Sequence, residues 1–293
     1  MAFKIITDSA SDVPREIIEK YDLHVIPTPV VIEGEDYFDG ENLFPETFYD
    51  LLPQGKDIKT YHVNAFMFEK AFTPYAERGD EVLYICFSTG IAGTFNAANI
   101  AKNEVIQKYP DFKITIIDSK CASLGFGLVV YRLLRMQENG ASKETIIEAA
   151  KFYCEHTKHV FTVETLEYLY KGGRLSKTSA MLGGMLSVKP ILEVDEEGAL
   201  VATEKVRGRK KSLNRLIEKV GEMGGDLDKQ IIGIVQGDAR EECKEIAKTI
   251  EEKYHPREIV TGWIGCAIGA HTGPGIIAII FCDAVNEEFD KYL

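Results

Sequence analysis

Runs of apolar residues alternate with segments of helical periodicity along the first half of the chain. Apolar runs of strand length occupy residues 3–7, 24–33, 81–87 and 113–117, and two prolines place the second run near a sheet edge. Apolar residues at helical spacing predict helices over residues 12–21, 46–52, 65–78, 94–109, 123–138 and 142–156. Because strands that alternate with helices form parallel sheets covered on both faces, this half predicts an α/β domain with a mostly parallel sheet.

The pattern changes near residue 157. Strand-like runs then follow one another closely, at residues 159–163, 188–194, 200–207, 230–236, 258–267 and 276–281, and helices are predicted at 210–223 and 240–254. Close succession of strands is typical of antiparallel sheets. We therefore predict two α/β domains, residues 1–157 and residues 158–293, the second with a mainly antiparallel sheet, and a ligand site between them.

Composition narrows the class of partner. The chain has 34 basic and 46 acidic residues, a net charge of −12. An acidic surface repels nucleic-acid phosphates and anionic lipids, so neither nucleic-acid binding nor stable membrane insertion is expected. The first residues have the pattern of a strand rather than of a signal peptide. The six cysteines show no CxxC spacing, which favours reduced thiols and a cytoplasmic location.

The segment 86–96, CFSTGIAGTFN, is a candidate anion site. A buried strand ends at Ser88 and Thr89, and a helix begins after Gly93 near Thr94. Free N–H groups and the helix dipole favour an anion at such a place, and ligands of α/β sheets bind at strand ends. The alternative is that Thr94 only caps the helix and the glycines only form the turn.

Three further residues are candidates for binding the same ligand. Thr60 lies in a polar segment, 57–64, predicted as a loop, and Arg174 follows a Gly-Gly pair that allows a sharp turn. His271 lies in the glycine-rich segment 265–275, predicted as a loop between strands. The alternatives are a solvated loop, a structural ion pair and a histidine satisfied by backbone groups. A single histidine without a second ligand is weak support for a metal site.

The motifs of common catalytic sites are missing from the sequence. No P-loop, GxGxxG, GxSxG or HExxH segment is present. Hydroxyls, a helix N-terminus, one arginine and one histidine can recognise an anion without transforming it. The sequence therefore predicts a binding protein with no catalytic residues of its own, no cofactor and no metal.

Seven segments together resemble the DegV family of bacterial fatty-acid-binding proteins in order and spacing: KIITDSASDVP, KTYHVN, CFSTGIAGTFNAA, IIDSKCASLGFG, LEYLYKGGRLSKTSAMLGGMLSVKPIL, KVRGRKKSL and HTGPG. The resemblance implies a Rossmann-like N-terminal domain and a C-terminal α/β domain. It also implies a long-chain fatty acid, such as palmitate, in a tunnel between them. The expected partner is an ATP-dependent fatty acid kinase subunit that receives the carboxylate. The alternative function is the substrate-binding subunit of a phosphotransfer system like dihydroxyacetone kinase.

The resemblance assigns roles to individual residues. Thr60 matches the family's head-group threonine, and Arg174, Arg207 and His271 match its basic and histidine positions. The family's SGT segment is Ala92-Gly93-Thr94 here, so one hydroxyl is missing. Ser88, Thr89 or the backbone N–H groups of Gly93 and Thr94 are the predicted replacements, unless the ligand differs from the family's.

Overall fold

In the computed structural model, residues 2–175 and 188–293 are described, and they form three β-sheets with helices packed around them. The strands are β1 Phe3–Asp8, β2 His24–Ile26, β3 Pro29–Ile32, β4 Glu35–Phe38, β5 Ile58–Thr60, β6 Glu81–Cys86, β7 Lys113–Asp118, β8 Thr157–Thr162, β9 Val188–Val194, β10 Leu200–Arg207, β11 Ile231–Gln236, β12 Glu258–Trp263 and β13 Ile277–Cys282. The α-helices are α1 Arg15–Tyr21, α2 Pro45–Leu51, α3 Ala65–Arg78, α4 Thr94–Lys108, α5 Leu124–Glu138, α6 Lys143–His156, α7 Glu167–Lys171, α8 Arg209–Met223, α9 Arg240–Tyr254, α10 Cys266–Thr272 and α11 Glu287–Asp290.

The N-terminal sheet has the strand order β2-β1-β6-β7, and all of its pairs are parallel, as predicted. Its strand β6 is buried from Val82 to Cys86, because alternate residues enter two different cores. Leu83 and Ile85 pack against α5 on one face, whereas Val82 and Tyr84 pack against α3 and α4 on the other. A strand buried on both faces is what an uninterrupted apolar run predicts.

The predicted strand at residues 24–33 is two strands in different sheets. β2 pairs with β1, whereas β3 belongs to a separate antiparallel sheet of order β4-β3-β5. Pro27 interrupts the run because it has no N–H group for a sheet ladder. The predicted loop 57–64 is also partly wrong, since Thr60 ends strand β5 and pairs with Val30.

The C-terminal sheet has the order β10-β9-β8-β13-β11-β12 and is antiparallel except for the pair β11–β12. A mainly antiparallel sheet was the expectation. Its first strand in sequence begins at Thr157. The division of the chain into domains at residue 157 stays a prediction.

The segment predicted as a strand and loop near His271 is different in the structure. β12 ends at Trp263, and residues Cys266–Thr272 form α10, so His271 lies in the last turn of a helix. Asp39 fixes the start of this helix by accepting hydrogen bonds from Cys266 N and Ala267 N, each at 3.0 Å. Asp39 lies more than 200 residues away in the chain, so the local sequence could not show this cap.

Helix α5 joins the N-terminal and C-terminal sheets. Eleven of its residues are buried. The apolar side chains among them belong to one core cluster with Leu83 and Ile85 of β6 and Phe161 and Ile280 of the C-terminal sheet. All six cysteines are buried and unpaired. Within the described ranges, no helix combines the length and apolar character needed to cross a membrane.

Candidate functional site

A cavity lies between the carboxyl edge of the N-terminal sheet, the inner face of the C-terminal sheet and α10. The space between its walls is about 900 Å³ when the open solvent at its mouth is included. Its wall is mostly aliphatic and aromatic, with the side chains of Phe87, Ile91, Phe161, Leu169, Val194, Leu200, Ile264, Ile268, Ile276 and Ile280. Such a wall suits an apolar ligand.

Thr60 and His271 form a polar pair at one end of the cavity. Thr60 Oγ1 lies 2.6 Å from His271 Nε2, and both residues line the wall. Burial, with the nearby charge of Arg174, lowers the pKa of His271 to about 4, so the ring is neutral at pH 7. The other ring nitrogen, Nδ1, is buried without a partner among the described residues.

The unpartnered Nδ1 decides the direction of the Thr60–His271 hydrogen bond. A buried N–H group is left unpaired more rarely than a buried acceptor. Nδ1 is therefore the bare nitrogen, and Nε2 carries the proton and donates it to Thr60 Oγ1. This leaves the Thr60 hydroxyl proton free to donate to a ligand in the cavity.

Arg174 supplies a positive charge at the same end. It follows Gly173, whose φ of +70° makes the turn at the end of α7. One guanidinium nitrogen, Nη1, donates to Gly172 O at 2.6 Å, and burial lowers the pKa of the group. Gly172 also permits close packing on His271, because a Cβ atom there would lie 2.0 Å from Nδ1.

The N-terminus of α4 completes this end of the cavity. Thr94 and Ala92 line the wall, and the N-cap Gly93 gives the helix no side-chain cap. Thr94 is 3% exposed, and its hydroxyl has no hydrogen-bond partner in the described part of the chain. Backbone donors and one hydroxyl are thus available to an anion.

Ser88 and Thr89 are not among the residues that line the cavity. Ser88 Oγ donates to Gly198 O at 2.8 Å, which ties the N-terminal sheet to the β9–β10 connection. Thr89 Oγ1 donates to Asp118 Oδ2 at 2.6 Å. Both hydroxyls are therefore used in structural contacts. Their replacement of the hydroxyl missing at Ala92 stays a prediction.

Other polar residues also line the wall. Asp8, at the end of β1, accepts hydrogen bonds from Tyr84 Oη at 2.6 Å and Ala10 N at 3.2 Å. Burial raises the pKa of Asp8 to about 6. Ser123 and His159 also line the cavity. His159 and Phe161 lie two residues apart in a predicted strand. Because side chains two residues apart point to the same face of a sheet, this spacing could have placed His159 beside Phe161 on the wall.

The polar end combines one cation, two hydroxyls and a helix N-terminus, and this set suits a carboxylate head group. Arg207, the other basic residue of the expected set, ends β10 and is not among the residues that line the cavity. Among the described residues, no three His, Cys, Asp or Glu side chains are grouped so that they could hold a metal ion.

Comparisons with known proteins agree with the fold and the extent of the resemblance. A family profile described as "Uncharacterised protein, DegV family" matches residues 2–284. The DegV domain-containing protein CPE0026 of Clostridium perfringens is 37% identical over 287 residues, which cover 97% of this chain and 99% of that protein.

Two solved structures share the architecture along nearly the whole chain. A DegV lipid-binding protein from Thermotoga maritima is 30% identical, with a TM-score of 0.85, and the match covers 96% of this chain and 99% of that one. A stearic acid-binding protein from Eubacterium ventriosum is 28% identical, also with a TM-score of 0.85, and the match covers 96% of this chain and 98% of that one.

Proposed function

This chain belongs to the DegV family, and we propose that it binds a long-chain fatty acid in the cavity between its two larger sheets. The observation that carries the proposal is a largely apolar cavity with one polar, cationic end. The stearic acid-binding relative supports the same ligand class. The walls favour an acyl chain over the short polar substrate of a dihydroxyacetone-kinase-like subunit.

The carboxylate is proposed to lie between β5 and the start of α4. Thr60 and Thr94 donate their hydroxyl protons to it, and the N–H groups at Gly93 and Thr94 add the helix N-terminus. Arg174 balances its charge. His271 holds Thr60 in the donating orientation through the 2.6 Å contact. In this arrangement Thr94 supplies the hydroxyl that Ala92 lacks.

The tail supplies most of the affinity. Burial of each methylene contributes roughly 0.8 kcal/mol, so a long acyl chain contributes about 10 kcal/mol before ordering costs are subtracted. The head group then sets the direction in which the chain enters. A protein with a net charge of −12 can in this way hold a water-insoluble anion without binding a membrane.

A finer proposal concerns the fate of the carboxylate. Tyr61 and His62 line both the polar end of the cavity and an open surface groove, and Tyr61 is 55% exposed. A carboxylate beside them lies close to the surface. We propose that it is presented there to an ATP-dependent fatty acid kinase subunit, which forms the acyl phosphate.

Native mass spectrometry of the purified protein tests the binding proposal. We expect a retained acid of long chain length, and uptake of added stearic acid by delipidated protein. Protein that stays empty in both experiments contradicts the proposal. The kinase step is tested by mixing the loaded protein with MgATP and a fatty acid kinase subunit and trapping acyl phosphate with hydroxylamine. If the protein binds the acid but no acyl phosphate is trapped, only the proposed presentation to the kinase subunit is rejected.

A further inference from the structure

His159 is a buried polar residue in the wall of the cavity. It lies in β8 and is 4% exposed. Its neighbours on the same face of the C-terminal sheet, Phe161 and Ile280, also line the cavity. The described residues that this sheet contributes to the wall are His159, Phe161, Val194, Leu200, Ala278 and Ile280, and only the first has a side chain that forms hydrogen bonds.

Contacts with the loop before α5 and with its first turn fix one edge of the His159 ring. Nε2 lies 3.3 Å from Ala122 N and 3.1 Å from Ala122 O. The ring also packs closely on Gly125, because a Cβ atom there would lie 1.8 Å from Nε2. The orientation of the ring is therefore determined, and Nε2 is committed to the backbone of Ala122.

The other ring nitrogen, Nδ1, belongs to a side chain that lines the cavity. It has no hydrogen-bond partner among the described residues. The open space beside His159 is the cavity. Burial lowers the pKa of the ring to about 4, so it is neutral, and Nδ1 acts as a hydrogen-bonding atom rather than as a charge.

We propose that His159 is a subsite for a hydroxyl group on the acyl chain, so that the preferred ligand is a hydroxylated long-chain acid. The inference rests on the proposed fatty-acid function. A hydroxyl both donates and accepts, so it satisfies Nδ1 whichever ring nitrogen carries the proton. An unsubstituted methylene leaves Nδ1 unpaired in an apolar wall, which is unfavourable.

The subsite and the carboxylate anchors lie on different walls. The anchors come from β5, α4, α10 and the turn after α7, whereas His159 comes from β8 and packs on α5. A chain held at its carboxylate therefore brings only one stretch of its length to His159. The subsite consequently selects the position of the hydroxyl as well as its presence.

Calorimetry with delipidated protein tests this selection. The probes are hydroxyoctadecanoic acids with the hydroxyl near the carboxylate, at mid-chain or near the methyl end, and stearic acid itself. We expect one isomer to bind at least as tightly as stearic acid. The other isomers bury an unpaired hydroxyl and should bind about tenfold more weakly or worse.

Variants assign the preference to His159. His159→Phe should weaken the preferred isomer about tenfold and leave stearic acid within about threefold of its wild-type affinity. His159→Asn, which keeps a polar atom near the position of Nδ1, should retain the preference. Phe161→Leu is the matched control, because it changes the shape of the same face without changing its polarity. It should change the affinity for all the acids by one common factor.

Two results would overturn the subsite. One is a smooth dependence on hydroxyl position with no preferred isomer in the wild-type protein. The other is an equal loss for hydroxylated and unsubstituted acids in His159→Phe. Stearic acid binding without any hydroxyl preference rejects only this inference, whereas failure to bind any of the acids rejects the proposed function. If His159→Phe does not fold, the wild-type series alone decides.

Discussion

Thr60 and His271 are 211 positions apart in the chain, and their side chains meet at 2.6 Å in the wall of one cavity. The contact joins the small sheet of β3, β4 and β5 to α10. With His271 as the donor, the Thr60 hydroxyl proton is free to donate to a ligand. The proposed head-group site therefore depends on the relative position of two elements that fold from distant parts of the sequence.

Removal of the Thr60 hydroxyl should weaken binding of the acid. Thr60→Val keeps the shape of the side chain but removes the donor to a charged carboxylate, so Kd for stearic acid should rise roughly 10- to 100-fold. Thr261→Val, at an exposed position of β12, is the matched control and should leave Kd unchanged. Equal affinities in calorimetry for Thr60→Val and the wild type contradict the head-group assignment.

Addition of a hydroxyl at Ala92 should compensate for the loss of Thr94. Thr94→Val should raise Kd about tenfold, and Ala92→Ser in that background should restore part of the affinity, because both residues line the polar end. A double-mutant cycle measures the coupling. Strictly additive effects of the two substitutions mean that the hydroxyls do not serve the same carboxylate.

Ser88 should matter for stability and not for binding. Ser88→Ala removes the donor to Gly198 O in a fully buried contact, and we expect a loss of about 1–3 kcal/mol in the free energy of unfolding. The affinity for stearic acid should stay within about twofold of the wild-type value. Urea denaturation and calorimetry on the same preparation separate the two quantities, and a fall in affinity alone places Ser88 in the site.

The pH dependence of stability should differ between the wild type and His271→Gln. The folded-state pKa of His271 is about 4, below the ordinary value of 6.5, so between these values the unfolded chain binds the extra proton. The contribution of His271 to the free energy of unfolding is therefore fully present above pH 6.5 and is lost as the pH falls towards 4. The raised pKa values of Asp8, Asp12 and Asp39 act in the opposite direction, so only the difference between the proteins is diagnostic.

His271→Gln lacks the titrating ring and keeps those carboxyls. The stability advantage of the wild type over the variant should therefore shrink when unfolding is measured at pH 5 rather than at pH 7. A difference in unfolding free energy that is constant over this range means that His271 is not held neutral in the folded protein.

Elements with a strong local pattern were predicted almost to the residue. The helix Ala65–Arg78 has the bounds predicted from its apolar stripe, and the structure caps it with Asn64 and ends it at Gly79. The strand Val188–Val194 also has the bounds that its run of apolar residues predicted. The segment 176–187, which carries part of the family resemblance, lies outside the described residues.

Features that depend on distant contacts were not predicted. Helix α10 begins where Asp39 accepts its first N–H groups, and nothing near Cys266 in the sequence shows that cap. Ser88 and Thr89 lie at a strand end, as a ligand site requires, but Gly198 and Asp118 occupy their hydroxyls. Sequence patterns identify which residues have suitable chemistry, whereas tertiary packing determines which of them stay free to bind.

A crystal structure of the protein loaded with stearic acid would locate the bound carboxylate and tail. We expect a long unbranched ligand with its carboxylate within hydrogen-bonding distance of the Thr60 and Thr94 hydroxyls. Its tail should run along Phe161 and Ile280. A carboxylate bound elsewhere, or a cavity that admits only a short polar molecule, would contradict the proposed binding mode.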